Sequence, residues 1–191
     1  MKVLIGCEFS GMVREAFARR GHDAMSCDLL PSEIPACGNS THYQGDIRDL
    51  LNNKYGWSWD LLIAFPPCTH LSSSGARWWP HKQTEQADAL EFVRFLMGLP
   101  VSKIALENPV GKISTAIRKP DQIIQPWQFG HGEIKTTCLW LKGLPLLVPT
   151  SIAEGREQKC WKMPARASRG KDRSRTYRGI AEAMADQWGR R

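Results

Sequence analysis

Hydrophobic and polar positions fall into blocks whose period switches along the chain. "KVLIG" (2–6) is a short apolar run closed by glycine, which predicts a buried strand. In "GMVREAFARRG" (11–21) the pairs Met12/Ala16 and Val13/Phe17 recur at helical spacing, predicting a helix that Gly21 stops. "DAMSCDLL" predicts a second strand ending at Asp28, and "WDLLIAF" a third that runs straight into Pro66-Pro67-Cys68. "TEQADALEFVRFLMGL" returns to the helical period, capped at or before Thr84, with Ala89, Val93 and Leu96 facing inward. "SKIALENP" is a further strand, closed by Pro109. Strands alternating with helices predict an α/β fold, a mostly parallel sheet with helices on both faces. Ligands of such sheets gather at the carboxyl ends of the strands, beside a topological switch point.

The 191 residues suit one domain spanning 1–191. No stretch approaches the roughly 20 apolar residues of a membrane span, and the opening apolar run stops at Gly6, too short for a secretory signal. Six scattered cysteines without a Cys-x-x-Cys pair then suggest reduced thiols in a cytoplasm. Cys37 and His42 form a lone pair of metal-ligating types, so no metal site is expected. Charge changes the picture more. Lys and Arg number 26 against 19 Asp and Glu, and nine of the basic residues fall between Arg156 and Arg178. Gly and Pro interrupt that stretch, which reads as a loop. It is either a solvated basic tail or a phosphate-binding surface with Trp161 and Tyr177 for stacking.

Five polar clusters stand at strand ends: Phe9-Ser10-Gly11, Asp28, "GDIRD" (45–49), Pro66-Pro67-Cys68 and Glu107-Asn108-Pro109. Singly, each has a plain explanation in turn, cap or packing. In this order they resemble the DNA cytosine methyltransferases that act on carbon 5. The match runs from Phe9 to Pro109, with a weaker echo over Thr176–Gly189. The resemblance implies a Rossmann-like fold that uses S-adenosylmethionine. Phe9, Ser10 and Gly11 would form the cofactor turn, and Asp28 would hold the ribose hydroxyls. Asp46 with Ile47 would meet the adenine, and Pro66 would border the same site. Cys68 on Pro67 would be the nucleophile, and Glu107 with Asn108 would activate the base. The segment 112–172 would be a small recognition insertion, and 173–191 would return to wall the cofactor site.

The chemistry explains these residue types. Carbon 5 of cytosine is a poor nucleophile, and a thiolate adding at carbon 6 makes it enamine-like. The Cys68 thiol should be exposed with a lowered pKa. Pro66 and Pro67, each with φ fixed at about −65° and without an N–H, would hold its turn rigid. Glu107 should be buried and protonated to donate to the ring nitrogen; a helix-capping carboxylate is the rival reading. The base must leave the stack, so "THLSSSGARWW" (69–79) reads as a mobile loop closing over it, with Ser72, Arg77 and Trp78 as contacts. Lys135, Arg169, Lys171, Arg173 and Arg175 complete the expected nucleic-acid surface. Three departures stand out: a cofactor turn with one glycine, Pro109 where the family has Val, and no Gln-x-Arg-x-Arg segment. Lys135 and Thr137, or Arg173 and Arg175, are the candidate substitutes. The implied protein is a minimal, phage-type DNA methyltransferase, monomeric, in the cytoplasm of a bacterial or phage-infected cell. RNA, a free pyrimidine nucleotide, and a non-catalytic nucleic-acid binder are the alternatives.

Overall fold

The computed structural model describes residues 1–51, 58–164 and 166–190. Among the described residues seven strands form one sheet: β1 (Lys2–Gly6), β2 (Asp23–Asp28), β3 (Ser40–Gln44), β4 (Leu61–Ala64), β5 (Lys103–Pro109), β6 (Gln122–Ile124) and β7 (Thr137–Lys142). Their order is β3-β2-β1-β4-β5-β7-β6. Pairing is parallel from β3 through β5, whereas β7 runs antiparallel to both β5 and β6. The helices are α1 (Met12–Ala18), α2 (Ile47–Leu51), α3 (Gln83–Gly98), α4 (Ile113–Ala116), α5 (Lys159–Lys162), α6 (Arg169–Ser174) and α7 (Arg178–Trp188).

The continuous apolar runs have a simple cause, because alternate residues of a strand face opposite sides and both sides are covered. Val3 and Ile5 of β1 join Phe17 of α1 and Met184 and Trp188 of α7 in one core. Leu4, between them, faces the other core with Leu62, Leu106, Trp140 and, from α3, Val93 and Leu96. The α1 and α7 helices pack together, and the Trp188 indole N–H donates to Pro145 O at 2.9 Å.

The expected strands and the two helices at 11–21 and 84–99 are present. The stretch 112–172 contributes two strands, β6 and β7, to the sheet. β3 carries Thr41, His42 and Gln44 at the sheet edge, a polar composition that gives no strand period. Two segments expected as loops contain helix: a 3₁₀-helix over Ser73–His81, and α5 and α6 within the basic stretch. No helix among the described residues is long and apolar enough to cross a membrane.

Candidate active site

The chain leaves β1 for β2 and β3 on one side, then returns to β4 on the other, so the switch point lies between β1 and β4. Phe9, Ser10 and Gly11 follow β1 there. Gly11 has φ 74°, and a Cβ at this position would sit 2.9 Å from Arg14 Nη2 and 3.0 Å from Ile34 Cβ, so glycine is required. Glu8 caps α1: its Oε1 accepts from Val13 N at 3.0 Å and from Ser10 Oγ at 2.8 Å. Its buried Oε2 has no hydrogen-bond partner among the described residues, and burial pushes the carboxyl up to about 7. Asp28 Oδ1 accepts from Leu30 N at 2.9 Å at the end of β2. Asp46 Oδ1 accepts from Arg48 N at 2.9 Å, and the neighbouring Ile47 is buried. Cys7 lies near both carboxylates at φ 58°, strained for a residue with a side chain; burial, then Asp28, pushes its thiol up to about 12. Two carboxylates at adjacent strand ends, beside the turn that carries the buried Phe9, suit a ligand with hydroxyls and an amine. These acceptors are compatible with the ribose hydroxyls and amines of S-adenosylmethionine.

Across the switch point, β4 runs into Phe65, whose N–H donates to Gly6 O at 2.9 Å, and then into the two prolines. Asn108 is buried, and its Nδ2 donates to Pro66 O at 2.8 Å, tying the tip of β5 to the turn. Cys68 O accepts from Leu71 N at 3.0 Å and Ser72 N at 2.9 Å, so the chain folds back immediately beyond the thiol. Cys68 is exposed as a residue, yet protein atoms crowd its thiol. The expectation of a lowered thiol pKa is corrected here. Desolvation, and then the Glu107 carboxylate, raise it, while Lys135 and Arg173 act in the opposite direction. Glu107 is raised by burial as expected, with Lys135 opposing.

Antiparallel β7 explains how Lys135 reaches this edge. Pairing of Glu107 with Leu139, and of Pro109 with Thr137, puts the start of β7 beside the end of β5. Lys135 Nζ donates to Arg173 O at 2.8 Å and lies 5.6 Å from the Tyr177 ring centre, whose hydroxyl donates to Glu133 Oε2 at 2.8 Å. Lys135 and Arg173 are thus joined, both near enough to Cys68 to act on its thiol. Thr137 is buried, and its hydroxyl donates to Lys135 O at 3.0 Å.

The segment expected to be a mobile loop is anchored. Ser72 bridges Gly111, Ser73 N donates to Val110 O at 3.0 Å, and Gln86 Nε2 donates to His70 O at 3.0 Å. On it, Trp78 is 54% exposed with the Arg77 guanidinium 5.0 Å from its ring centre. Lys112 lies over Trp79 at 5.4 Å. Within the basic stretch the roles divide. Arg173 Nε donates to Cys160 Sγ at 3.4 Å, whereas Lys171 and Arg175 pair with Glu33 while staying partly exposed. Arg169 is partly buried in α6, and the Trp161 side chain lies outside the described residues.

Sequence reasoning missed three residues. Glu8 reads as a strand-end carboxylate, and only its offset to the helix start could have signalled a cap. Arg14 reads as a solvent-facing helix position but is fully buried, donating to Ser26 Oγ at 2.9 Å, Ser32 Oγ at 3.0 Å and Ile34 O at 2.5 Å. It thereby pins the loop that carries the third, Glu33. In the same region both ring nitrogens of His42 are engaged, with Ser26 Oγ at 2.8 Å and Leu30 O at 3.1 Å.

No protein-family model matches the chain, and no curated protein matches it in sequence. Among solved structures it is similar to a proposed DNA modification methyltransferase encoded within a prophage (E. coli). The identity is 18% and the TM-score 0.54, over 81% of this chain and 52% of that one. A methyltransferase of Entamoeba histolytica, EhMeth, matches at 14% identity and TM-score 0.43, over 83% of this chain and 57% of that one. The chain thus spans about half the length of these solved structures. The first similarity shows the fold: a mostly parallel, seven-stranded α/β sheet like that of a methyltransferase.

Proposed function

We propose that the chain is an S-adenosylmethionine-dependent methyltransferase that modifies carbon 5 of cytosine in DNA. The observation that carries this reading is the Asn108–Pro66 hydrogen bond, which locks the Cys68 turn to the strand bearing Glu107. A nucleophile and a raised carboxyl then share one edge with a cation. The similarity to a DNA modification methyltransferase supports the reading at the level of fold.

In this reading Phe9, Gly11, Asp28 and Asp46 hold the cofactor, which supplies an electrophilic methyl group when bound. Cys68 gives its proton to water and adds to carbon 6 of an extruded cytosine, while Glu107 gives its proton to the ring nitrogen. Lys135 and Arg173 balance the negative charge that moves between thiolate and carboxylate. Once carbon 5 has been methylated, water takes its proton, the bond between Cys68 and carbon 6 breaks to expel the thiolate, and the ring nitrogen returns its proton to Glu107. Asn108 holds the turn in place and takes no proton. The proline pair keeps the loop out of the sheet ladder, because it offers no N–H.

Incubation with tritiated S-adenosylmethionine and duplex DNA, RNA or dCMP tests the reading. Label should appear on carbon 5 of cytosine in DNA and be absent with Cys68→Ser. Glu107→Gln should slow transfer by about 10²–10⁴-fold. Label confined to RNA or dCMP, or on another base, contradicts the proposal.

A further inference from the structure

Glu33 closes a contact over a long stretch of sequence. Its backbone N–H donates to Phe9 O at 2.9 Å, which fixes it to the turn after β1. Its carboxylate takes a fork from Arg175, with Nε to Oε2 and Nη2 to Oε1 both at 2.7 Å, and Lys171 Nζ lies 3.2 Å from Oε1. Arg175 Nη1 also donates to Asp172 Oδ1 at 2.7 Å, and Arg166 Nη2 reaches Asp172 Oδ2 at 2.8 Å. The same two cations cover the Phe9 ring, with Lys171 Nζ at 5.0 Å and Arg175 Cζ at 6.0 Å from its centre. Arg175, and secondarily Lys171, hold the Glu33 carboxyl down at about 2.

A planar guanidinium that forks a carboxylate also forks a phosphate, with the same bidentate geometry. Glu33 therefore occupies the position that an anionic oxygen pair from outside would take. The contact is partly solvent-exposed, at 39% for Arg175 and 28% for Glu33, so it is screened by salt and open to exchange. In a stretch with nine basic residues, a strand of phosphodiesters brings several anions at once, whereas Glu33 brings one.

We propose that Lys171 and Arg175 form a nucleic-acid phosphate site that Glu33 masks, and that a bound phosphate backbone uncovers Phe9 by taking these cations. The masking stands by itself. The consequence for the cofactor rests on the reading of Phe9 as a cofactor contact. By linkage, nucleic acid then tightens cofactor binding and the cofactor tightens nucleic-acid binding by the same factor.

The test uses binding alone, in a Cys68→Ser background, so that a failure of the catalytic reading leaves it intact. Duplex binding is titrated against salt for the parent, Glu33→Gln, Glu33→Lys, and Lys171→Ala with Arg175→Ala. Either Glu33 variant should bind duplex about 3–10-fold tighter at low salt, since it removes a competing anion. The double alanine variant should flatten the salt slope by about 1.8, two phosphates at roughly 0.9 each. Calorimetry with S-adenosylmethionine should show duplex tightening the cofactor in the parent, with that dependence lost in Glu33→Gln. Inorganic phosphate should displace duplex no better than chloride at equal ionic strength. Unchanged duplex affinity in both Glu33 variants, an unchanged slope in the double variant, or selective displacement by inorganic phosphate overturns the masked site. Equal duplex dependence of cofactor binding in parent and Glu33→Gln overturns the coupling.

Discussion

At the residue scale, the site depends on the balance of charge between Cys68 and Glu107. Burial favours the neutral form of Glu107, and a charged Glu107 opposes the Cys68 thiolate. One negative charge on the pair is therefore favoured over two; Lys135 stabilises whichever group carries it, and Arg173 acts on the thiolate. That arrangement suits a reaction in which the thiolate forms while the carboxyl stays protonated. It also fixes the sign of a pH experiment. The thiol lies above its ordinary pKa, so iodoacetamide labelling of Cys68, followed by mass spectrometry of its peptide, should rise only at alkaline pH. Glu107→Gln removes a like charge and should move that rise to lower pH. Lys135→Ala removes an opposite charge and should move it to higher pH. A shift in the reverse direction in either variant would show that these groups do not face the thiol.

At the element scale, the tip of β5 and the start of β7 do most to build the site, together with the 3₁₀-helix behind the thiol. Gly111 is the joint. A Cβ there would drive into Leu71 O, so glycine permits the Ser72–Gly111 bridge and the Lys112 N to Leu71 O hydrogen bond at 2.7 Å. Gly111→Ala should cost about 1–3 kcal/mol of stability by overpacking. It should also reduce transfer more than it reduces cofactor affinity, as measured by denaturant unfolding, turnover and calorimetry. Equal loss of both would place the joint outside the thiol side of the site.

The same elements show what the sequence made legible. β1, β4 and β5 were readable because both faces are buried, which gives unbroken apolar runs such as Leu61–Ala64. The thiol turn was readable because Pro66 and Pro67 leave few backbone choices. β3 was not, because its edge position needs no apolar face. Neither was the register that brings Lys135 to Glu107, because strand pairing across about thirty residues leaves no local period. The 3₁₀-helix was read as a mobile loop for a related reason: small residues signal freedom, and only the anchors at Gly111 and Gln86 remove it.

At the scale of the whole molecule, two groups of candidate site residues flank the switch point between β1 and β4. One carries Phe9, Asp28 and Asp46; the other carries Cys68, Glu107 and Lys135. The returning C-terminal segment touches both, through Lys171 and Arg175 at Phe9 and through Arg173 beside Lys135. Trp78 is exposed on the thiol side, with the Arg77 guanidinium on its face. The central claim is that Cys68 attacks cytosine. The most direct measurement uses a duplex whose target cytosines carry fluorine at carbon 5, incubated with the protein and S-adenosylmethionine and resolved by denaturing electrophoresis. Fluorine replaces the proton that must leave, so the covalent complex should persist, with the Cys68 peptide bearing the nucleotide in mass spectrometry. It should require the cofactor and be absent with Cys68→Ser. No adduct in the parent, or an adduct that survives in Cys68→Ser, would contradict the account.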